Sequence, residues 1–380
     1  MPRARIATAL LLAAFAVSCG AEKPAPLQGI KVGFFGALTG PTATFAISGK
    51  NGATLAIEEI DRAGGVLGRP VELLSEDDRG EASEAASAVS KLITRDHVVA
   101  LIGENASSRS LAAAPIAQSY GVPMISPSST NVEVTKKGDY IFRVCFIDAY
   151  QGKVLAAFAR KNLKAQTAAI LTDSRSDYSV GLADAFRTAF TGAGGRVVAD
   201  AKYAEGDSDF SAQLTALTPS NPDVLFVPGY YTDAGLIARQ ARSLGVKATL
   251  LGADGWDSPK LVEIGGEAME GAYLSNHYSV DDPSPAVRRF VEAYEAKYGA
   301  EPDSIAATSY DAMRLLADAI TRAGSTEGRR VRDALAATKN FAGVTGTITM
   351  DSDRNPIKPA VVLKVVGGRF QFADSIAPGS

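Results

Sequence analysis

Two hydroxyl-rich segments sit where an apolar run gives way to polar residues. Glu104-Asn105-Ala106-Ser107-Ser108 follows Leu101-Ile102-Gly103, and Ser126-Pro127-Ser128-Ser129-Thr130-Asn131 follows Met124-Ile125. Small hydroxyl residues at a helix start leave backbone N–H groups and the positive helix end open to an anion, worth about 0.3 to 2 kcal/mol depending on burial. An ordinary helix cap uses the same residues. Two such clusters in equivalent places predict one carboxylate held between them. Other chemistry is sparse. Neither histidine, His97 or His277, has a second His or Cys at metal-ligand spacing. His97 adjoins a predicted buried strand and reads as structural, whereas His277, in Asn276-His277-Tyr278, fits a hinge or cleft rim. Cys145 has the apolar neighbours of an inert thiol. Glu76-Asp77-Asp78 reads as a solvated strand end. Asp351-Ser352-Asp353 opens like a calcium loop, but Pro356 and Val362 occupy the places of its glycine and glutamate. There is no nucleophile elbow and no phosphate loop, and Gly194-Gly195 follows a predicted helix as a stop. These residues predict no catalytic group, metal or cofactor.

The elements that must position the hydroxyl clusters follow from hydrophobic periodicity. Ile30 to Gly36 is a continuous apolar strand pattern, and Ala53, Ala56, Ile57 and Ile60 mark one buried helix face that Gly64-Gly65 ends. Strand-like Val71 to Leu74, a helix with Ala82, Ala85, Ala86, Val89 and Ile93 on one stripe, and apolar Val98 to Ile102 come next. The alternation continues to Thr249 to Gly252. Regular βαβα order with short connections predicts an α/β fold of parallel sheets flanked by helices. In such sheets ligands bind beyond the carboxyl ends of the strands, where both clusters fall. Toward the C-terminus the order changes: Ala286 to Tyr298, Ile305 to Ala323 and Val331 to Thr338 read as helices in series, followed by strand-like Thr345 to Met350 and Ala360 to Val366.

The N-terminus reads as an export signal. Met1-Pro2-Arg3-Ala4-Arg5 precedes an apolar run from Ile6 to Val17, too short for the roughly 20 residues that span a bilayer. Ala16-Val17-Ser18-Cys19-Gly20 is similar to a bacterial lipobox, in which Cys19 would be lipidated; plain cleavage nearby is the alternative. Residues 19–28 suit a tether. Removing residues 1–18, with two arginines and no acids, takes the net charge from −3 to −5, which offers nucleic acid no broad basic footprint. Only Cys145 then remains beyond Cys19, so no internal disulfide is possible. A body of this length suggests two domains, and the lack of a linker suggests lobes joined by several strands.

Several motifs in order resemble one family. They are Ile30-Lys31-Val32-Gly33, Leu38-Thr39-Gly40-Pro41, Asn51-Gly52-Ala53, Ile60-Asp61-Arg62-Ala63-Gly64-Gly65-Val66-Leu67-Gly68, Glu76-Asp77-Asp78, Ile102-Gly103, Ser126-Pro127-Ser128-Ser129-Thr130, Gly229-Tyr230-Tyr231 and Leu251-Gly252. From about residue 30 to 365 the chain resembles type I periplasmic binding proteins of the leucine/isoleucine/valine-binding branch, which serve ATP-driven importers. The resemblance implies two Rossmann-like lobes joined by three crossings near 146–151, 276–280 and 351–356. Lobe 1 would comprise 29–147 plus 277–353, and lobe 2 148–276 plus 354–380.

By the same resemblance, Ser107, Ser128 and Thr130 would bind an α-carboxylate. Asp254, otherwise a turn former, would pair with an α-ammonium. Tyr178, Tyr230 and Phe45 would form aromatic cleft walls. The family acid is often glutamate, so the shorter Asp254 points to a water-mediated contact as an alternative. Trp256 is expected to shape the side-chain pocket, and Arg109 either to face solvent or to hold a second acidic group.

The implied protein is a monomeric, non-enzymatic importer component at the periplasmic or cell-surface side. It would touch the membrane only through its lipid anchor, close over an amino acid by a hinge and meet a permease. A sensor of the same fold is the alternative; with the chain stopping near Ser380, it would need a separate partner. So is a binder of an amine-free acid or amide.

Overall fold

The computed structural model describes residues 28–377, so the signal reading and Cys19 lie outside the described residues. The first half of the chain alternates β1 (Ile30–Gly36), α1 (Ala43–Arg62), β2 (Val71–Asp77), α2 (Ala82–Thr94), β3 (Ala100–Ile102), α3 (Ser107–Tyr120), β4 (Met124–Ser126) and β5 (Ile141–Arg143). These strands form a parallel sheet in the order β2-β1-β3-β4-β5. Almost every residue of β1 is buried, as a central parallel strand covered on both faces requires.

The chain then crosses to a second sheet. It runs through α4 (Asp148–Lys161), β6 (Thr167–Asp173), α5 (Asp177–Gly192), β7 (Arg196–Tyr203), α6 (Ser211–Leu217), β8 (Val224–Phe226), α7 (Tyr231–Ser243), β9 (Thr249–Gly252), α8 (Pro259–Gly265) and β10 (Tyr273–Asn276). A second crossing returns it to pack α9 (Pro285–Tyr298), α10 (Ser304–Ala323) and α11 (Gly328–Ala336) into the first core, with the small hairpin β11 (Phe341–Gly343) and β12 (Gly346–Ile348). The third crossing carries an isolated bridge between Met350 and Pro356 and leads to β13 (Ala360–Val366) and β14 (Arg369–Ile376). The second sheet has the order β14-β13-β10-β9-β8-β6-β7, parallel except that β13 runs antiparallel to both its neighbours, β10 and β14. Among the described residues no helix is long and apolar enough to cross a membrane.

Most elements match the periodicity. The short pieces β5, α6, α8, β10 and β11 were not anticipated, because three to seven residues carry too little pattern. Edge strand β14 was also missed, though a signal existed. Gly367-Gly368, at φ 57° and 76°, forms the two-residue hairpin turn that β13 and β14 share, a conformation glycine adopts without strain.

The first lobe depends on close approach of α1 to α10. A Cβ at Gly52 would lie 2.0 Å from the Ala306 carbonyl oxygen, so only glycine fits there. Gly52→Ala is expected to destabilise the protein by about 1 to 3 kcal/mol or more through forced separation of these helices. Thermal unfolding should show a melting temperature lower by several degrees, and an unchanged one would contradict this packing.

Candidate functional site

The two hydroxyl clusters interlock. Hydroxyls of Ser126, Ser129 and Ser110 converge on the Glu104 carbonyl oxygen at 2.7, 2.9 and 3.2 Å. Ser128 donates to the Asn105 carbonyl at 3.0 Å, and the Asn131 N–H donates to the Ser107 hydroxyl at 3.2 Å. Arg143, fully buried, donates to the carbonyls of Ser129 and Asn131 at 2.5 and 2.8 Å. Much of the hydroxyl content thus locks two loops together, and a smaller part remains for a ligand. What remains is useful. The α3 N-terminus has no side-chain cap, and the Asn105 amide nitrogen is buried without a hydrogen-bond partner, whereas the Thr130 hydroxyl is turned to Asp148. Uncapped helix N–H groups with spare neutral donors form an anion-holding pole.

Asp254 supplies the opposite pole from the second lobe. It lies in a short turn after β9 and is buried. Its Oδ1 accepts from Gln151 Nε2 at 2.7 Å and from the Tyr178 hydroxyl at 2.8 Å, while His277 Nε2 lies 3.2 Å from Oδ2. The Tyr178 hydroxyl also accepts from the Gly255 N–H at 3.0 Å. Tyr178 stacks on Tyr230 at 5.3 Å, and Phe45 meets Tyr230 and Tyr231 edge-on at 6.0 and 5.0 Å from the other lobe. Phe45, Asn105, Ser128 and Ile305 from the first lobe and Tyr178, Tyr230, Asp254 and Gly255 from the second border one small cavity, closed down almost to nothing between the lobes. The chemistry of this lining, once the lobes part to admit a ligand, suits a small molecule with an anionic end, a cationic end and an apolar side.

Of the expected carboxylate residues, Ser128 borders this cavity while Ser107 and Thr130 do not. Asn105, Ile305 and Gln151 were not singled out from sequence. Asn105 had a signal, since it sits inside the first cluster and carries an amide donor.

Two expectations are corrected. Trp256 does not shape the pocket: it is buried in the second-lobe core, its indole N–H donates to the Val227 carbonyl at 3.0 Å, and its ring fills the space left by Gly252. Arg109 neither faces solvent nor waits for an acidic ligand. It donates to the Gly80 carbonyl at 2.6 Å and the Thr42 hydroxyl at 3.1 Å, lies 3.9 Å from Glu104, and reaches across the cleft to Glu205 at 3.2 Å. The protein's own carboxylates occupy it.

The remaining candidates are structural. Asp77 accepts from the N–H groups of Leu38 and Thr39 at 2.9 and 3.2 Å, pinning the loop after β1, and Glu76 pairs with Lys91. Burial pushes the Cys145 thiol up to about 12, leaving no thiolate at neutral pH. His97 is exposed in the turn before β3.

A closed, two-lobed binding protein with its site between the lobes is the class that this geometry defines. Residues 29–369 match the periplasmic binding protein family model, and the chain belongs to that family. It is 33% identical to the Leu/Ile/Val-binding protein BraC3 of Rhizobium johnstonii, over 90% of this chain and 91% of that one. The structure resembles a leucine-binding protein, LivK, of Thermotoga maritima at a TM-score of 0.89 and 43% identity, covering 92% of this chain and 99% of that chain. It also resembles the branched-chain amino acid transporter substrate-binding protein LivJ of Streptococcus pneumoniae, solved with isoleucine, at a TM-score of 0.87 and 36% identity, covering 92% and 100%. The family places the chain outside the cytoplasm, as a binder and not a catalyst.

Arg109 is the central cation among Asp78, Glu104 and Glu205, so Arg109→Met should leave buried carboxylates uncompensated and cost about 3 to 5 kcal/mol near neutral pH. Burial raises Glu104 to about 8, so it is largely neutral already near pH 7; burial also raises Asp78 to about 6 and lifts Glu205, so acid neutralises these two and the deficit should shrink toward pH 5. Parallel melts of both proteins across pH would show this; an equal deficit at every pH would contradict it.

Asp148 opens α4 with both carboxyl oxygens buried, and burial, against the Thr130 hydroxyl beside it and with the Asp254 charge adding, pushes it from 3.8 up to about 8. The folded state therefore binds the extra proton between these values, so this residue's contribution to stability falls as pH rises from about 4 to about 8. Asp148→Asn is expected to remove that slope in thermal unfolding; an unchanged pH profile would exclude the buried, protonated acid.

Proposed function

We propose that this protein captures a branched-chain or similar aliphatic amino acid in the interlobe cleft and presents the closed form to the permease of an ATP-driven importer. The carrying observation is the pairing of poles: an uncapped helix N-terminus with spare donors on one lobe, and buried Asp254 with aromatic walls on the other. The carboxylate end of an amino acid suits the first and its ammonium the second. Phe45, Tyr230 and Ile305 offer an aliphatic side chain apolar surface. The names of the relatives support the same ligand class.

Ligand contacts from both lobes stabilise the closed arrangement, and the three crossings act as the hinge. Export with lipidation at Cys19, followed by residues 19–28 as a tether, would keep a monomeric body beside its permease.

Thermal unfolding of residues 21–380 against amino acids, amine-free carboxylates and amides tests the assignment. A true ligand at 100 times its dissociation constant is expected to add about 2.7 kcal/mol. Leucine, isoleucine or valine should give the largest shift. Asp254→Ala should weaken amino-acid binding by more than about 100-fold, as loss of a buried ion-pair partner implies, and spare an acid lacking the amine. Shifts confined to amine-free acids would overturn the ammonium role.

A further inference from the structure

We propose that His277 is a positioning residue that fixes the swing of the Asp254 carboxylate and thereby sets affinity for the ligand's ammonium group. The inference rests on the reading of Asp254 as the ammonium partner and concerns how that partner is held. A carboxylate offers about four acceptor positions. Gln151 and Tyr178 occupy those of Oδ1, from α4 and α5. His277 takes one on Oδ2, leaving a single position on that same atom for a ligand donor.

Two donors on Oδ1 fix one oxygen, but the carboxylate can still pivot about it. Among the described residues only His277 hydrogen-bonds Oδ2, so it decides where the last lone pair points. Because Asp254 has no proton to give as a carboxylate, Nε2 must carry the hydrogen, which excludes the neutral Nδ1-protonated ring. Burial lowers the imidazole below its ordinary 6.5, against the Asp254 hydrogen bond that raises it, and this keeps a competing positive charge away from the ammonium place.

The placement is tied to the hinge. His277 follows β10 on the second crossing, and its ring lies 4.0 Å from that of Phe146 on the first crossing. Its backbone N–H donates to the Asn276 side chain at 2.8 Å. The support for Asp254 therefore comes from the segments that join the lobes as well as from the second lobe itself.

Calorimetric titration with leucine of the wild type, His277→Gln, His277→Leu and Asp254→Asn tests this. Gln presents an N–H near the place of Nε2, so H277Q should bind within about threefold of wild type. H277L should bind about tenfold more weakly, and D254N more than 100-fold more weakly. Equal losses in H277Q and H277L, or none in H277L, would overturn the positioning role while leaving Asp254 as the ammonium partner. Leucine binding by D254N as tight as by wild type, or no leucine binding by wild type, would overturn the underlying reading and the proposal with it.

A second readout does not depend on the Leu variant folding. The chain has only two histidines, so nitrogen NMR of the wild type and a His97→Gln protein resolves His277. The neutral Nε2-protonated tautomer is expected at pH 7, and an Nδ1-protonated ring or an imidazolium would overturn the proposal.

Discussion

A buried carboxylate is the constraint around which the rest of this structure is arranged. Removing Asp254 from water costs several kcal/mol unless donors replace its solvation. Gln151 and Tyr178 come from the first two helices of the second lobe, and His277 comes from the crossing after β10. Gly255 must lack a side chain because a Cβ there would come within 3.0 Å of Tyr178 and 2.8 Å of the Gly229 carbonyl. A single acidic group thus dictates the identity of neighbours far apart in the chain.

The first lobe answers with a different kind of pole. The two arginines beside the hydroxyl clusters are spent on the fold: Arg143 holds the loop carbonyls and Arg109 is committed to Gly80, Thr42, Glu104 and Glu205. Neutral donors and a helix end remain. Fixed dipoles can hold an anion without a mobile counter-charge, which suits a site that must also release its ligand. Across the cleft the lobes also touch directly: Thr232 donates to the Pro41 carbonyl at 2.7 Å, and the Asp177 N–H donates to Ser108 at 2.9 Å.

Much of this was legible in the sequence. The βαβα alternation, the placement of both hydroxyl clusters at strand ends, and the inert character of Cys145 follow from neighbours within a few residues. The resemblance to binding proteins pointed to Asp254, Tyr178, Tyr230 and Phe45, which the fold brings to one cavity. Arg109 and Trp256 were misread because a side chain's direction depends on what waits in the opposing layer. Gly252 leaves the space that Trp256 fills, and Glu205 of the other lobe draws on Arg109.

What the sequence determined by itself was therefore local: periodicity, turn chemistry and which strand ends carry polar residues, all set by contacts within one element or its neighbours. Only the tertiary structure decided which polar groups are spent on the fold and which are left for a ligand. The physical reason is distance along the chain. Asp254 meets Gln151 across 103 residues, and Arg109 meets Glu205 across 96. Whether a buried group finds its partner is settled only when the two sheets and their crossings are packed together.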